Sequence, residues 1–209
     1  MDVPRGKFAA SGCACLTIES ARNDWFLNRD LPALRAALAG FAEGYDRAGA
    51  IGFSMGGYGA LLLARELRLA DAILVSPQFS ILPEKAPYET RYRREAEDVL
   101  AELDEIGGAN GGNPKGAVIF DPSLAPDVQH TRRICAAYPG LVPVPMWFGG
   151  HPALGVVAKH GRYGKVLEAL FSGDVRAAEL LSLHKKARRK SGTYHAGIRR
   201  YLARRAARK

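Results

Sequence analysis

The chain has 209 residues, of which 47% are hydrophobic and 24% are charged, and its formal net charge is +9. This length and composition predict one globular domain with a sizeable core and exclude a wholly disordered chain. No run of about eighteen apolar residues occurs, so a membrane-spanning helix is not expected.

The first residues lack the charged-then-apolar order of a signal peptide, so no secretion signal is expected. Three cysteines, Cys13, Cys15 and Cys135, cannot form a fully paired disulfide framework. A reduced, cytoplasmic setting is therefore the expected one.

The positive charge is concentrated at the C-terminal end of the chain. Residues 185–209 contain eleven Lys or Arg and no acid, which leaves 19 basic and 21 acidic residues elsewhere. We expect a domain over residues 1–171 and a basic helical extension over residues 172–209. Such a charge run is most often a solvated helix, and the alternative is contact with nucleic acid, anionic lipid or an acidic partner.

Short apolar segments alternate with helical segments along the chain. This alternation is typical of an α/β protein in which helices cover both faces of a parallel sheet. The predicted strands cover residues 13–18, 48–53, 71–75, 117–120 and 142–148. The predicted helices cover residues 31–45 (after an N-cap at Asp30), 55–67, 82–103 and 128–138, and residues from 154 onward are mostly helical.

Residues 51–57, Ile-Gly-Phe-Ser-Met-Gly-Gly, span the junction between a predicted strand and a predicted helix. A nucleophilic serine on such a turn needs small residues two positions before and after it, because the strand and the helix approach closely there. Gly52 and Gly56 meet this requirement around Ser54. The alternative is a glycine-rich turn that binds phosphate or only packs tightly, and a nucleophile would also need a base and an acid further along.

With its run Gly-Phe-Ser-Met-Gly-Gly-Tyr-Gly-Ala, the chain resembles the α/β-hydrolase superfamily, especially its esterase and thioesterase members. The resemblance implies a catalytic triad in the chain order serine, acid, histidine. Because only about fifty residues precede Ser54, we expect a three-layer sandwich around a minimal, mostly parallel sheet of five or six strands. An uncovered edge of that sheet would allow a homodimer.

His151 follows the last predicted strand, where the resemblance implies the catalytic histidine. His130 lies inside a predicted helix, where a surface position is expected. Asp121 and Asp127 compete for the role of the acid. Asp121 is preferred because it ends a predicted strand, and sites lie beyond the carboxyl ends of strands, whereas Asp127 is also the expected N-cap of the next helix.

The backbone N–H of Met55, at the start of a helix, is the expected first donor to an oxyanion. The resemblance implies a second donor in the loop at residues 20–25, although the family's His-Gly-Gly motif is absent there. Asn23, Trp25 or a backbone amide is the candidate. Trp25 is expected to be exposed by its sequence context, and it either lines an acyl pocket or has an ordinary packing role.

Residues 82–116 lie where hydrolases of this type insert a lid. This segment is either a lid or a solvated helix of mixed charge. The side chains that would contact substrate from a lid are Tyr88, Arg91, Tyr92, Arg93 and Arg94.

The sequence thus predicts a serine hydrolase that cleaves a small-molecule ester or thioester through an acyl-enzyme, with no cofactor and no metal. An acyltransferase would use the same residues and differ only in the second nucleophile. A third hypothesis is a non-catalytic, hydrolase-like binding module whose basic tail binds a polyanion.

Overall fold

The computed structural model describes residues 13–107 and 112–207. Its core is a sheet whose strands are all parallel and lie in chain order. The strands are β1 (Ala48–Phe53), β2 (Leu69–Val75), β3 (Lys115–Phe120) and β4 (Leu141–Pro145).

Eight α-helices lie in the described part of the chain, together with a short 3-10 turn at Ala101–Leu103. They are α1 (Leu31–Ala42), α2 (Met55–Leu62), α3 (Arg93–Glu97), α4 (Ala125–Ala137), α5 (Gly155–Lys159), α6 (Tyr163–Phe171), α7 (Ala177–Arg188) and α8 (Gly192–Ala206).

Side chains of successive strand residues point to opposite faces of the sheet, and each face buries its own cluster. One cluster joins Leu74 and Val118 to α1, α2 and α4. The other joins Ile73 and Ile119 to α5, α6 and α7. The predicted α/β architecture, with a parallel sheet covered on both faces, is therefore confirmed.

The predicted count of five or six strands is wrong, because the sheet of the described residues has four. Residues 13–18 form no strand, and Leu16 among them is 45% exposed. A groove of about 500 Å³ separates them from the edge of β1. An apolar run shows that a segment can be buried, but a strand also needs a neighbouring backbone within hydrogen-bonding distance.

Residues 82–103 do not form the predicted long helix, since regular structure there is limited to α3 and the 3-10 turn. Pro87 interrupts the predicted helix after its first turn, because an interior proline removes a helical hydrogen bond and clashes with the preceding turn. The segment instead lies against the body of the protein, where the N–H of Leu100 donates to the carbonyl of Leu27 at 2.9 Å.

The C-terminal helices pack against the rest of the chain at their inner faces. In α7, Leu180 and Ala187 are buried, while α8 buries Gly197. None of the helices in the described ranges combines the length and the apolar character that crossing a bilayer requires.

Candidate active site

Ser54 lies on a sharp turn between β1 and α2. Its backbone has φ 49° and ψ −117°, a conformation that L-residues rarely adopt and that surrounding contacts must hold in place. The turn is close because a Cβ atom at Gly52 would lie only 2.6 Å from the carbonyl carbon of Gly56. Glycine at position 52 therefore lets the strand and the helix meet, and Ser54 is displayed at the carboxyl end of β1.

The Ser54 hydroxyl belongs to a continuous chain of hydrogen bonds. Its Oγ lies 2.9 Å from Nε2 of His151, and Nδ1 of His151 lies 3.0 Å from Oδ2 of Asp127. Asp127 is buried, whereas the His151 side chain is 19% exposed. With the proton on Nδ1, the imidazole can accept the hydroxyl proton at Nε2, so the arrangement is able to activate Ser54 as a nucleophile.

The preferred carboxylate, Asp121, lies elsewhere in the site. Its buried oxygens accept four hydrogen bonds, two from Ser123 and one each from the N–H groups of Phe148 and Gly150. Asp121 thus holds the loop that carries His151, and the carboxylate in contact with the imidazole is Asp127. The two roles differ because Asp127 lies in the first turn of α4, where its side chain reaches the imidazole, whereas Leu124 is the N-cap residue.

Asp127 also joins a network of charged groups, in which the carboxylates are buried and Arg91 is partly exposed. Nη1 of Arg91 lies 2.8 Å from Oδ1 of Asp127, and Nη2 of Arg91 lies 2.6 Å from Glu89. Burial alone would raise the pKa of Glu89, but hydrogen bonds from His130 and Arg91 hold that pKa at about 2. The acid beside His151 therefore lies next to a guanidinium that is itself fixed by a second carboxylate.

His130 lies at the inner end of this network. The surface position that the sequence predicted for it is wrong. It is fully buried, its Nδ1 lies 3.0 Å from the N–H of Phe79, and its Nε2 lies 2.9 Å from Glu89. Burial lowers the pKa of His130, and Glu89 opposes that effect. This pattern fits a neutral imidazole that donates from Nε2 and accepts at Nδ1.

Gln78 is a site residue that the sequence reasoning missed. It is fully buried, its Nε2 donates to Ser54 Oγ at 3.2 Å, and its Oε1 accepts the indole N–H of Trp25 at 3.2 Å. Because the indole can only donate, this contact identifies Oε1 as the acceptor, and Ser54 Oγ lies 3.4 Å from that oxygen as well as 3.2 Å from Nε2. Its position, three residues after the end of β2, was the available signal, since sites lie beyond the carboxyl ends of strands.

Trp25 is 2% exposed, so its predicted exposure is wrong. Its backbone has a φ of 50°, and its ring lies 4.7 Å from that of Tyr92 between centroids. A buried indole requires an acceptor for its N–H, and Gln78 supplies it. The Asn23 side chain is exposed, so of the two named candidates only Trp25 reaches the Ser54 surroundings. Met55 is the first residue of α2, next to Ser54.

The five candidates from residues 82–116 occupy different places. Tyr92 reaches the site, with its hydroxyl 3.4 Å from Nε2 of His151, and Arg91 contacts Asp127. Tyr88 lies against His130, Arg93 donates to the Pro87 carbonyl at 2.8 Å, and Arg94 is exposed.

The fold and the site define an α/β protein with a serine–histidine–aspartate chain of hydrogen bonds at the carboxyl edge of a parallel sheet. Among residues 13–107 and 112–207, no group of three or more His, Cys, Asp or Glu side chains is arranged to hold a metal ion. Comparisons with protein-family models, curated proteins and solved structures find no match to this chain.

Proposed function

We propose that this chain is a serine hydrolase of the α/β-hydrolase type that cleaves carboxylic esters or thioesters through an acyl-enzyme. The observation that carries the proposal is the chain of contacts from Ser54 through His151 to Asp127, at 2.9 Å and 3.0 Å, on a strained strand-to-helix turn. Buried strain of this kind persists where the surrounding structure holds it, and it is concentrated at functional sites.

In the proposed reaction, Ser54 Oγ attacks the carbonyl carbon while Nε2 of His151 takes the hydroxyl proton. Asp127 holds the Nδ1–H tautomer and stabilises the imidazolium that forms. The tetrahedral intermediate then expels the alcohol or thiol, which receives the proton from His151. Water, deprotonated by the same imidazole, attacks the acyl-enzyme, releases the acid and restores Ser54.

The oxyanion of the intermediate needs donors placed before the reaction begins. The Met55 N–H is suited to this because it is the first amide of α2, and the first amides of a helix have no acceptor within it. We assign the second donor to the Gln78 side chain, because its Nε2 lies 3.2 Å from Ser54 Oγ and the oxyanion forms on the carbon that Oγ attacks, two bonds from Oγ. Trp25 contributes from the predicted loop by fixing the Gln78 amide.

Substitution of Gln78 by leucine tests this assignment. Gln78→Leu should lower kcat by roughly 100-fold or more and leave KM nearly unchanged, as expected for a donor that acts on the transition state. Trp25→Phe keeps the ring but removes the N–H, so its effect should be smaller and in the same direction. A Gln78→Leu variant with wild-type kcat would refute the assignment.

A fluorophosphonate probe tests the proposed activity, because it reacts with an activated serine. The wild-type protein should be labelled, Ser54→Ala should not, and Ser172→Ala, at an exposed serine, should be labelled like the wild type. A folded wild-type protein that resists labelling would overturn the proposal. Hydrolysis of p-nitrophenyl esters and acyl-CoA thioesters of increasing acyl length would then define the substrate class.

A further inference from the structure

The outer side of α8 and the loop after β4 expose apolar side chains among arginines. Leu202 is 56% exposed, Tyr201 41% and Trp147 40%, which are unusually large values for such side chains. Four exposed arginines lie on the same helix as Tyr201 and Leu202. We call this set the C-terminal patch: Trp147, Arg199, Arg200, Tyr201, Leu202, Arg204 and Arg205.

Phe148 joins the two parts of the patch. Its ring centroid lies 5.8 Å from that of Trp147, 5.6 Å from that of Tyr194 and 5.9 Å from that of Tyr201. The helix approaches closely because position 197 is glycine, where a Cβ atom would lie 2.6 Å from Cβ of Phe148. The aromatic loop and the basic helix are therefore in direct contact.

The positive charge of this surface is not neutralised by nearby acids. Within the part of the chain that the structure describes, none of the four arginines of the C-terminal patch forms an ion pair. The neighbouring helix α7 and the turn after it add four exposed basic side chains, Lys185, Lys186, Arg189 and Lys190. The surface is thus complementary to an extended array of anionic groups.

We propose that the C-terminal patch docks on an anionic lipid surface. Arginines would pair with lipid phosphates and carboxylates, while Leu202 and Trp147 would enter the boundary between headgroups and acyl chains. Nucleic acid would satisfy the arginines through its phosphates but would leave Leu202 in water. The exposed apolar residues therefore favour lipid over nucleic acid as the partner.

Docking would also place lipid beside the candidate active site, because Phe148 is three residues from His151 in the same loop. An ester substrate drawn from that surface would then have a short path to Ser54. This consequence rests on the proposed hydrolase function, whereas docking itself does not.

Co-sedimentation of the full chain with vesicles tests the proposal. The protein should sediment with phosphatidylcholine vesicles that contain phosphatidylserine, and much less with phosphatidylcholine alone, and added salt should weaken the binding. The variant R199Q/R200Q/R204Q/R205Q should bind at least about 100-fold more weakly. A control with the same change in charge outside the patch, R29Q/R65Q/K115Q/R132Q, should bind better than that variant.

Leu202→Ser separates lipid from other polyanions. It should weaken vesicle binding several-fold and leave binding to a duplex oligonucleotide unchanged. The proposal would be overturned if the wild-type protein bound neither kind of vesicle. It would also be overturned if the protein bound the oligonucleotide as tightly as the vesicles and Leu202→Ser did not weaken vesicle binding. Ser54→Ala should dock like the wild type, so loss of catalysis and loss of docking are told apart.

Discussion

Ser54 and His151 approach each other to 2.9 Å, yet the chain positions the two residues by different means. The turn that carries Ser54 is built from neighbours in sequence, since β1, the turn and α2 are consecutive, although its N–H also donates to the Val75 carbonyl of the adjacent strand at 2.9 Å. His151 is held by distant residues, with Asp121 on the backbone of its loop, Asp127 on its ring and α8 against Phe148. The comparison teaches that the turn bearing the proposed nucleophile is formed by local structure, whereas the position of the proposed base depends mainly on the assembled fold.

The surroundings of Ser54 (the serine side) and those of His151 (the histidine side) also differ in the forces that hold them. Around Ser54 the essential feature is close contact between backbone atoms at Gly52. Around His151, the buried carboxylates of Glu89 and Asp127 pair with the partly exposed guanidinium of Arg91. A change in volume should therefore damage the serine side most, and a change in charge or pH should damage the histidine side most.

The largest expected effect is on turnover, through the acid that contacts His151. Asp127→Asn should lower kcat by about 10⁴-fold with the fold retained, because an amide no longer fixes the imidazole tautomer. Asp121→Asn should cost far less activity and instead lower the free energy of unfolding by about 1–3 kcal/mol, since an amide fits its four donors poorly. Ester kinetics measure the loss of kcat in both variants, and urea unfolding measures their loss of stability. A larger loss of kcat in Asp121→Asn than in Asp127→Asn would contradict the prediction.

The next effect tests the serine side by volume. Gly52→Ala should lower the free energy of unfolding by about 2–3 kcal/mol and disturb Ser54, because its Cβ meets backbone atoms that cannot move aside. Gly56→Ala is the matched control within the same motif, as its Cβ would have no heavy atom within 4 Å. Urea denaturation compares the two variants, and equal stability would show that the elbow is less tight than the structure indicates.

A smaller effect is expected where α8 supports the histidine side. Gly197→Ala should displace Phe148 and lower kcat by roughly tenfold, with a loss of about 1–2 kcal/mol in the free energy of unfolding. Labelling by the fluorophosphonate should slow in parallel. Gly192→Ala in the same helix meets open space and serves as the control. Wild-type activity in Gly197→Ala would mean that α8 does not position the loop.

The smallest effect is a change in pH dependence. The pKa of Glu89 is lowered from 4.5 to about 2, because hydrogen bonds from His130 and Arg91 outweigh its burial. Its ionised form therefore stabilises the fold above about pH 4.5, and that stabilisation is lost as the pH falls toward 2. Thermal unfolding of Glu89→Gln should depend less on pH in this range than the wild type, whereas Glu168→Gln, at an exposed position, should behave like the wild type. An unchanged acid profile in Glu89→Gln would refute this role.

Much of the fold could be predicted because its signals are local. The strand at residues 48–53 was predicted with the bounds that the structure shows for β1, since it is an apolar run between polar loops. The sequence also predicts β2, β3 and β4, but the structure gives each of these strands at least one end that differs from the predicted one. Residues 13–18 are predicted as a strand and residues 82–103 as one long helix, but the first segment lies outside the sheet and Pro87 interrupts the second.

The sequence by itself determined the Ser54 turn and the place of His151 after the last strand. Both follow from local rules, namely small residues at a tight junction and chain order in a parallel sheet. The tertiary structure alone placed Asp127 and not Asp121 against the His151 ring, brought Gln78 to Ser54 and buried Trp25 and His130. A carboxylate or an amide can serve many donors, and only the folded chain decides which donors it meets.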